Sequence, residues 1–234
     1  MTPAPRAAWD LVSFDLDGTL VDTAAEIAEA ANRALESHVI KRRPVAEITL
    51  LIGAGTRELM LRLLANCYVD DPGLAQRVRP DAVLESLDAH YAATSGSVAV
   101  PYAGCFETLA TLRASGVRLA CVTNKEFRHT QRVLQATGLD AAFDLVIGGD
   151  SLPEKKPHAS VLRHVAAHLG ASLERTAHVG DSSTDIEAAR NAGVHAWAVP
   201  YGYNAGVPIE QARPDRLFRT LSEVAAFVLA GDPR

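Results

Sequence analysis

The sequence predicts an α/β protein: a Rossmann-like parallel-sheet core with an inserted all-helical cap domain. Three observations lead there. From Gly104 onward, short apolar runs alternate with amphipathic stretches, the pattern of strand–helix–strand units. Each amphipathic stretch stops at a glycine, the residue that most easily takes the left-handed turn ending a helix. The stretch from Thr23 to about Ala99 carries helical patterns with no convincing strand.

Residues 11–14 form the first buried strand. Thr23-x-x-Glu26 has the pattern of a capping box and opens a helix reaching about Leu35. Helical patterns also cover 56–64 and 81–91, and the chain returns through Ser95-Gly96-Ser97, read as a flexible connection. Core strands follow at 117–122, 145–147, 177–179 and 194–199. Helices at 107–115, 126–137, 160–169 and 185–192 separate them, each followed by a glycine: Gly116, Gly138, Gly170 and Gly193. The predicted division is 1–22 with 100–234 for the core and 23–99 for the cap. Parallel strands with right-handed crossovers form ligand sites at their carboxyl ends. Residues just past each strand are therefore the ones that can meet.

Composition narrows the class. The 234 residues are 48% hydrophobic and 22% charged, as in an ordinary soluble globular protein. A net charge of -5 gives no footing for a nucleic-acid partner, and the longest basic run, Lys41-Arg42-Arg43, suits a solvated loop. No run is apolar enough to span a bilayer, and Met1 to Asp10 lack the basic start and apolar stretch of a signal peptide. Cys67, Cys105 and Cys121 are odd in number and far apart, which fits reduced thiols in a cytoplasmic protein; Cys121 sits in an apolar run and reads as core.

The chemistry concentrates after the strands. Asp15-Leu-Asp-Gly-Thr19 puts two carboxylates at i and i+2 at the end of the first strand. Asp15 suits a nucleophile toward phosphorus, and Asp17 suits an acid that protonates a leaving oxygen and then activates water. Gly18 lets the chain turn away without crowding. Thr123-Asn124 offers a hydroxyl and amides for phosphate oxygens, though alone it equally reads as a helix N-cap. Lys155-Lys156 offers an ammonium, with Lys156 favoured as the inward one because a proline follows it. Asp181 and Asp185, at a strand end and a helix start, suit a hard ion such as magnesium, while Asp185 alone is also a common helix-start residue. Four carboxylates in one crevice need counter-charge, which a divalent cation and Lys156 would supply. Phosphoryl transfer needs little beyond such positioning and neutralisation.

These four segments, in this order, resemble the phosphatase branch of the haloacid dehalogenase superfamily over nearly the whole chain. The resemblance implies a nucleophile at Asp15, an acid/base at Asp17, phosphate contacts at Thr123 and Lys156, and Mg2+ held by Asp15, Asp181 and the carbonyl of Asp17, with Asp185 in support. Gly148–His158, Gly180–Gly193 and Ile52–Arg57 look like bacterial phosphoglycolate phosphatases. One departure is visible: their usual KPHPxPL reads Lys156-Pro-His-Ala-Ser-Val-Leu162 here. The resemblance therefore implies a small-molecule phosphate ester as substrate, 2-phosphoglycolate first, with Arg57 in the cap as a candidate for its carboxylate. Sugar-phosphate phosphatases, including those of N-acetylmuramic acid 6-phosphate, and phosphomutases are similar at this level. A non-catalytic module is disfavoured because both Asp15 and Asp17 are present. His178 and Trp197 read as core, and Tyr201-Gly202 as a turn or the crevice rim.

Overall fold

The computed structural model describes residues 8–231, so most of the opening stretch searched for a signal peptide lies outside it, as do the last three residues. β1 (Leu11–Phe14) is buried at every position, as expected of a strand covered on both faces. After a tight turn, β2 (Val21–Asp22) pairs antiparallel with β3 (Val100–Pro101). Between them the chain runs through α1 (Ala24–Ser37), α2 (Val45–Thr49), α3 (Thr56–Asp70), α4 (Leu74–Arg77) and α5 (Pro80–Thr94). The rest alternates: α6 (Cys105–Ala114), β4 (Arg118–Val122), α7 (Phe127–Thr137), β5 (Leu145–Ile147), α8 (Ala159–Leu169), β6 (Thr176–Gly180), α9 (Ser183–Ala192), β7 (His195–Ala198), β8 (Arg216–Leu217) and α10 (Leu221–Ala230).

The main sheet has the order β5-β4-β1-β6-β7-β8, and all its pairings are parallel. Alternation along the strands divides its residues between two apolar layers. Val12 and Phe14 join Leu119, Cys121, Ala177 and Val179 on one face; Leu11 joins Ala120 and Val122 on the other. Phe14 is level with Cys121 on β4 and Val179 on β6. β4 and β6 run one residue past that level, so the three strands end within a residue of one another and deliver Asp15, Thr123 and Asp181 to one edge.

The helical insertion has an apolar core of its own. On α1, Ile27, Ala30, Ala31, Ala34 and Leu35 make one buried stripe at helical spacing, packed with Ile48, Met60, Leu63, Leu87 and Tyr91. Its helices run longer than expected, α3 to Asp70 and α5 to Thr94. Two sequence expectations fail here. The Thr23–Glu26 capping box does not form: Thr23 Oγ1 donates to Asp17 Oδ1 at 2.6 Å, and Glu26 accepts from Gly96 N at 2.8 Å. The Thr23 hydroxyl points to the Asp17 carboxylate, which leaves its oxygen turned away from the amides of its own helix. Ser95-Gly96-Ser97 is likewise no loose connection. Gly96 takes a φ of 82°, and a Cβ there would press on Ala136 and the Arg132 carbonyl.

The basic run is pinned rather than merely solvated, with Arg42 paired to Glu29 and Glu36, and Arg43 to Glu47 and Asp70. All three cysteines are buried and free. Among the described residues, no helix is long and apolar enough to cross a membrane.

Candidate active site

Asp15 leaves the end of β1 with its Oδ1 3.0 Å from Lys156 Nζ. Lys156 is 3% exposed, and its ammonium also donates to the Val122 carbonyl at 2.6 Å and to Asp185 Oδ1 at 2.7 Å. Lys155 turns the other way and donates to Ala54 O at 2.7 Å. The inward lysine is Lys156.

Asp181 is gripped from both sides. Thr19 Oγ1 donates to Oδ1 at 2.9 Å, and the Tyr203 amide to Oδ2 at 2.6 Å. Gly18 has a φ of 85°, and a Cβ there or on Gly202 would overlap the Asp181 carboxylate. Both loops can close over Asp181 only because these positions lack side chains.

Asp185 starts α9 and has its lone pairs taken. Its Oδ2 accepts from the Ser182 amide at 3.1 Å and the Ser182 hydroxyl at 2.6 Å, so the reciprocal cap forms here instead of at α1. Its Oδ1 accepts from Lys156 and stands 3.3 Å from His178 Nε2. His178 Nδ1 lies 2.9 Å from Ser13 Oγ, whose hydroxyl also reaches the Ala177 carbonyl at 3.2 Å. His178 is thus core, as its sequence position implies, and also braces Asp185.

One oxygen each of Asp15, Asp181 and Asp185 come within 4.8 Å of one another, all buried. Burial, aided by Asp185 and Asp17 and opposed by Lys156, pushes the Asp15 carboxyl up to about 6. Burial foremost, then Asp185 and Asp15, holds Asp181 well above the usual carboxylate range. Burial would raise Asp185 too, but Lys156 and His178 overcome it and hold it low. Burial works against the Lys156 ammonium as well, yet Asp15 and Asp185 more than offset it and push its pKa up. One lysine cannot neutralise three buried carboxylates, so the cluster is built for a further cation. Asp15 Oδ1 is a buried oxygen without an aligned hydrogen bond. With Asp185 saturated, Asp15 and Asp181 are the donors left for a hard, oxygen-seeking ion, and magnesium fits them.

Across from this cluster is a narrow chamber between core and cap. Asp15, Asp17, Thr123, Asn124 and Lys125 line it from the core, and Ile27, Ile52, Gly53, Gly55, Thr56 and Leu59 from the cap. Asp17 Oδ1 accepts from Lys125 Nζ and Thr23 Oγ1, each at 2.6 Å. The Thr123 hydroxyl accepts from the Lys125 amide at 3.2 Å and does not cap a helix, since α7 starts only at Phe127. Asn124 Nδ2 donates to Gly53 O at 3.2 Å and Lys156 O at 3.0 Å. Thr56 Oγ1 donates to Glu126 at 2.8 Å. The Gly53–Thr56 loop is thereby tied down over the core.

A sequence model of the haloacid dehalogenase-like hydrolases matches residues 12–199, which span every strand end at this site. The chain belongs to that family. Among these hydrolases, the phosphoglycolate phosphatase of Nitrosospira multiformis is 38% identical over 219 residues, 93% of this chain and 94% of that protein. The phosphoglycolate phosphatase of Nitrosococcus oceani is 33% identical over 215 residues, 92% and 94% of the two chains. The crystal structure of a predicted phosphoglycolate phosphatase from Haemophilus somnus 129PT superposes with a TM-score of 0.88 at 31% identity, covering 94% of this chain and 98% of that one.

Within this hydrolase site, Arg57 is the expected residue that falls away. It is exposed and lines a neighbouring cavity with Arg79, Asp81 and His129 instead of the Asp15 chamber. Thr56 takes the core-facing position at the start of α3, and the next residue is carried about 100° around the helix, away from the chamber. Sequence reasoning missed Lys125, Thr19 and Tyr203. The Tyr203 hydroxyl donates to Asp22 Oδ1 at 2.6 Å and accepts from the Thr23 amide at 2.8 Å, a contact across 180 residues that no local pattern announces.

Proposed function

We propose that this hydrolase is a magnesium-dependent phosphatase acting on a small phosphate monoester, 2-phosphoglycolate, through an aspartyl-phosphate on Asp15. The observation that carries the reading is the buried Asp15 carboxylate, set 3.0 Å from Lys156 and facing a chamber that also holds Asp17. The relatives named phosphoglycolate phosphatase support the substrate. Residues 23–99 serve as the cap, and three free thiols suit a cytoplasmic setting.

In the first half-reaction an Asp15 oxygen bonds to phosphorus as the ester P–O bond breaks. Asp17 gives its proton to the departing alkoxide. In the second, Asp17 takes a proton from water, the water oxygen bonds to phosphorus, and Asp15 is released with inorganic phosphate. The Thr123 hydroxyl and the Asn124 backbone amide hold the phosphoryl oxygens, and Lys156, whose three donors go to Asp15, Asp185 and the Val122 carbonyl, supplies positive charge beside them. Asp15, Asp181 and the Asp17 carbonyl would hold magnesium, which supplies charge neutralisation for the phosphoryl group.

Phosphate release from a panel of esters with magnesium present tests the reading. The highest kcat/KM should belong to 2-phosphoglycolate. Faster turnover of N-acetylmuramic acid 6-phosphate would overturn the substrate, and no release from any ester would overturn the activity.

A further inference from the structure

The chamber is lined by a buried lysine that no step of this reaction uses. Lys125 follows Thr123-Asn124 past the end of β4 and is 2% exposed. Its ammonium donates to Asp17 Oδ1 at 2.6 Å and lies over the Tyr91 ring, 5.2 Å from the centroid. Among the described residues lining the chamber it is the one cation. Lys156 is committed to Asp15, Asp185 and the Val122 carbonyl, and Arg57 lies outside. An ammonium carries three donors, and Asp17 is the hydrogen-bond acceptor this one has among the described residues.

The position defines what it can recognise. An ester oxygen being protonated must touch the Asp17 carboxylate, and Lys125 is one hydrogen bond beyond. A carboxylate attached to the carbon that bears the phosphate lies two bonds from that oxygen, within reach of the ammonium. Ile27, Ile52 and Leu59 form the apolar ceiling and offer no side-chain partner to sugar hydroxyls. We propose that Lys125 is a specificity-determining residue that pairs with this α-carboxylate, so that the substrate class is α-phosphoxy carboxylates. The proposal rests on the phosphatase reading above and adds the residue that selects the substrate. It also moves the carboxylate contact from the cap to the core, beside Asp17.

The competing role for Lys125 is to orient Asp17 alone, which would affect all esters alike. The test compares kcat/KM for 2-phosphoglycolate and 2-hydroxyethyl phosphate, which replaces the carboxylate with a hydroxymethyl group. It uses the full chain with magnesium, as wild type, Lys125→Gln and Lys125→Arg. Lys125→Gln keeps a donor toward Asp17 and removes the charge. The wild type should prefer 2-phosphoglycolate by on the order of 10- to 100-fold, the usual effect of a charged hydrogen bond. Lys125→Gln should erase most of that preference through KM for 2-phosphoglycolate, and Lys125→Arg should keep most of it. A preference retained in Lys125→Gln while both esters slow together would overturn the proposal. Equal turnover of the two esters by wild type would overturn it without any substitution and leave the phosphatase reading standing. No turnover of either would remove that reading and this proposal together.

Discussion

Lys156→Met probes how the buried acidic cluster is held together. Methionine keeps most of the side-chain volume and removes a charge 3.0 Å from Asp15 and 2.7 Å from Asp185. Those carboxylates are 7% and 1% exposed, so water does little to replace it. Removing one partner of a buried pair costs about 3–5 kcal/mol. Two carboxylates lose the same partner here, which places the expectation at about 4–5 kcal/mol. At about 2–4 °C per kcal/mol for a chain of this size, Tm should fall by roughly 8–20 °C in EDTA. The sign of the pH dependence follows from the carboxyls. Burial, against Lys156, puts Asp15 at about 6 in the folded chain against an ordinary value of 3.8. The folded state thus binds more protons between those values, and this group's contribution to stability declines as pH rises through them. Asp185 runs oppositely: Lys156 and His178 overcome burial and hold it below 3.8, so its contribution is full above that pH and lost only below it. Without Lys156 both carboxyls move up, and ionising them at pH 8 in the folded state becomes costly. The deficit of Lys156→Met should therefore shrink between pH 8 and pH 5. Calorimetry in EDTA at both pH values measures it. A variant as stable as wild type, or a deficit as large at pH 5 as at pH 8, would refute the charge balance described.

Gly18→Ala should cost about 1–2 kcal/mol from the left-handed backbone alone. Because its Cβ would displace the Asp181 carboxylate, phosphate release should also fall by about 10- to 100-fold, an effect on the order of a lost charged hydrogen bond. Comparable kcat in the two proteins would mean that Asp181 tolerates displacement. EDTA should abolish activity and magnesium restore it, whereas calcium, with its looser and larger coordination, should substitute poorly. Magnesium at about 100 times its Kd should also add about 2.7 kcal/mol of stability, read as a higher Tm. An unchanged Tm would mean that the acidic cluster does not bind the ion.

The strand ends were the legible part of this chain. Asp15, Thr123 and Asp181 each follow an apolar run, and parallel strands that finish level bring such residues together whatever lies between them. Lys156 follows the shorter β5 at a distance, and the proline after it was the one local sign that it, and not Lys155, turns inward. What stayed hidden depended on contacts without local pattern. Lys125 carries no signal apart from its place after Thr123-Asn124, because nothing in a sequence marks one lysine as buried. Thr23 had the spacing of a cap, but a carboxylate six residues earlier folds back to claim its hydroxyl. Arg57, next to Thr56 on α3, lines a neighbouring cavity and not the Asp15 chamber, a direction that spacing alone did not show. β2, β3 and β8 are two residues each, too short to show any period.

Rapid-quench mass spectrometry of the enzyme turning over 2-phosphoglycolate with magnesium tests the central claim most directly. The wild type should carry a transient phosphate on the peptide containing Asp15 and on no other, and Asp15→Asn should carry none and release no phosphate. Asp17→Asn should slow release of the ester's alcohol as well as any breakdown of the intermediate. A phosphate found on a histidine, or undiminished turnover by Asp15→Asn, would contradict the mechanism at its first step.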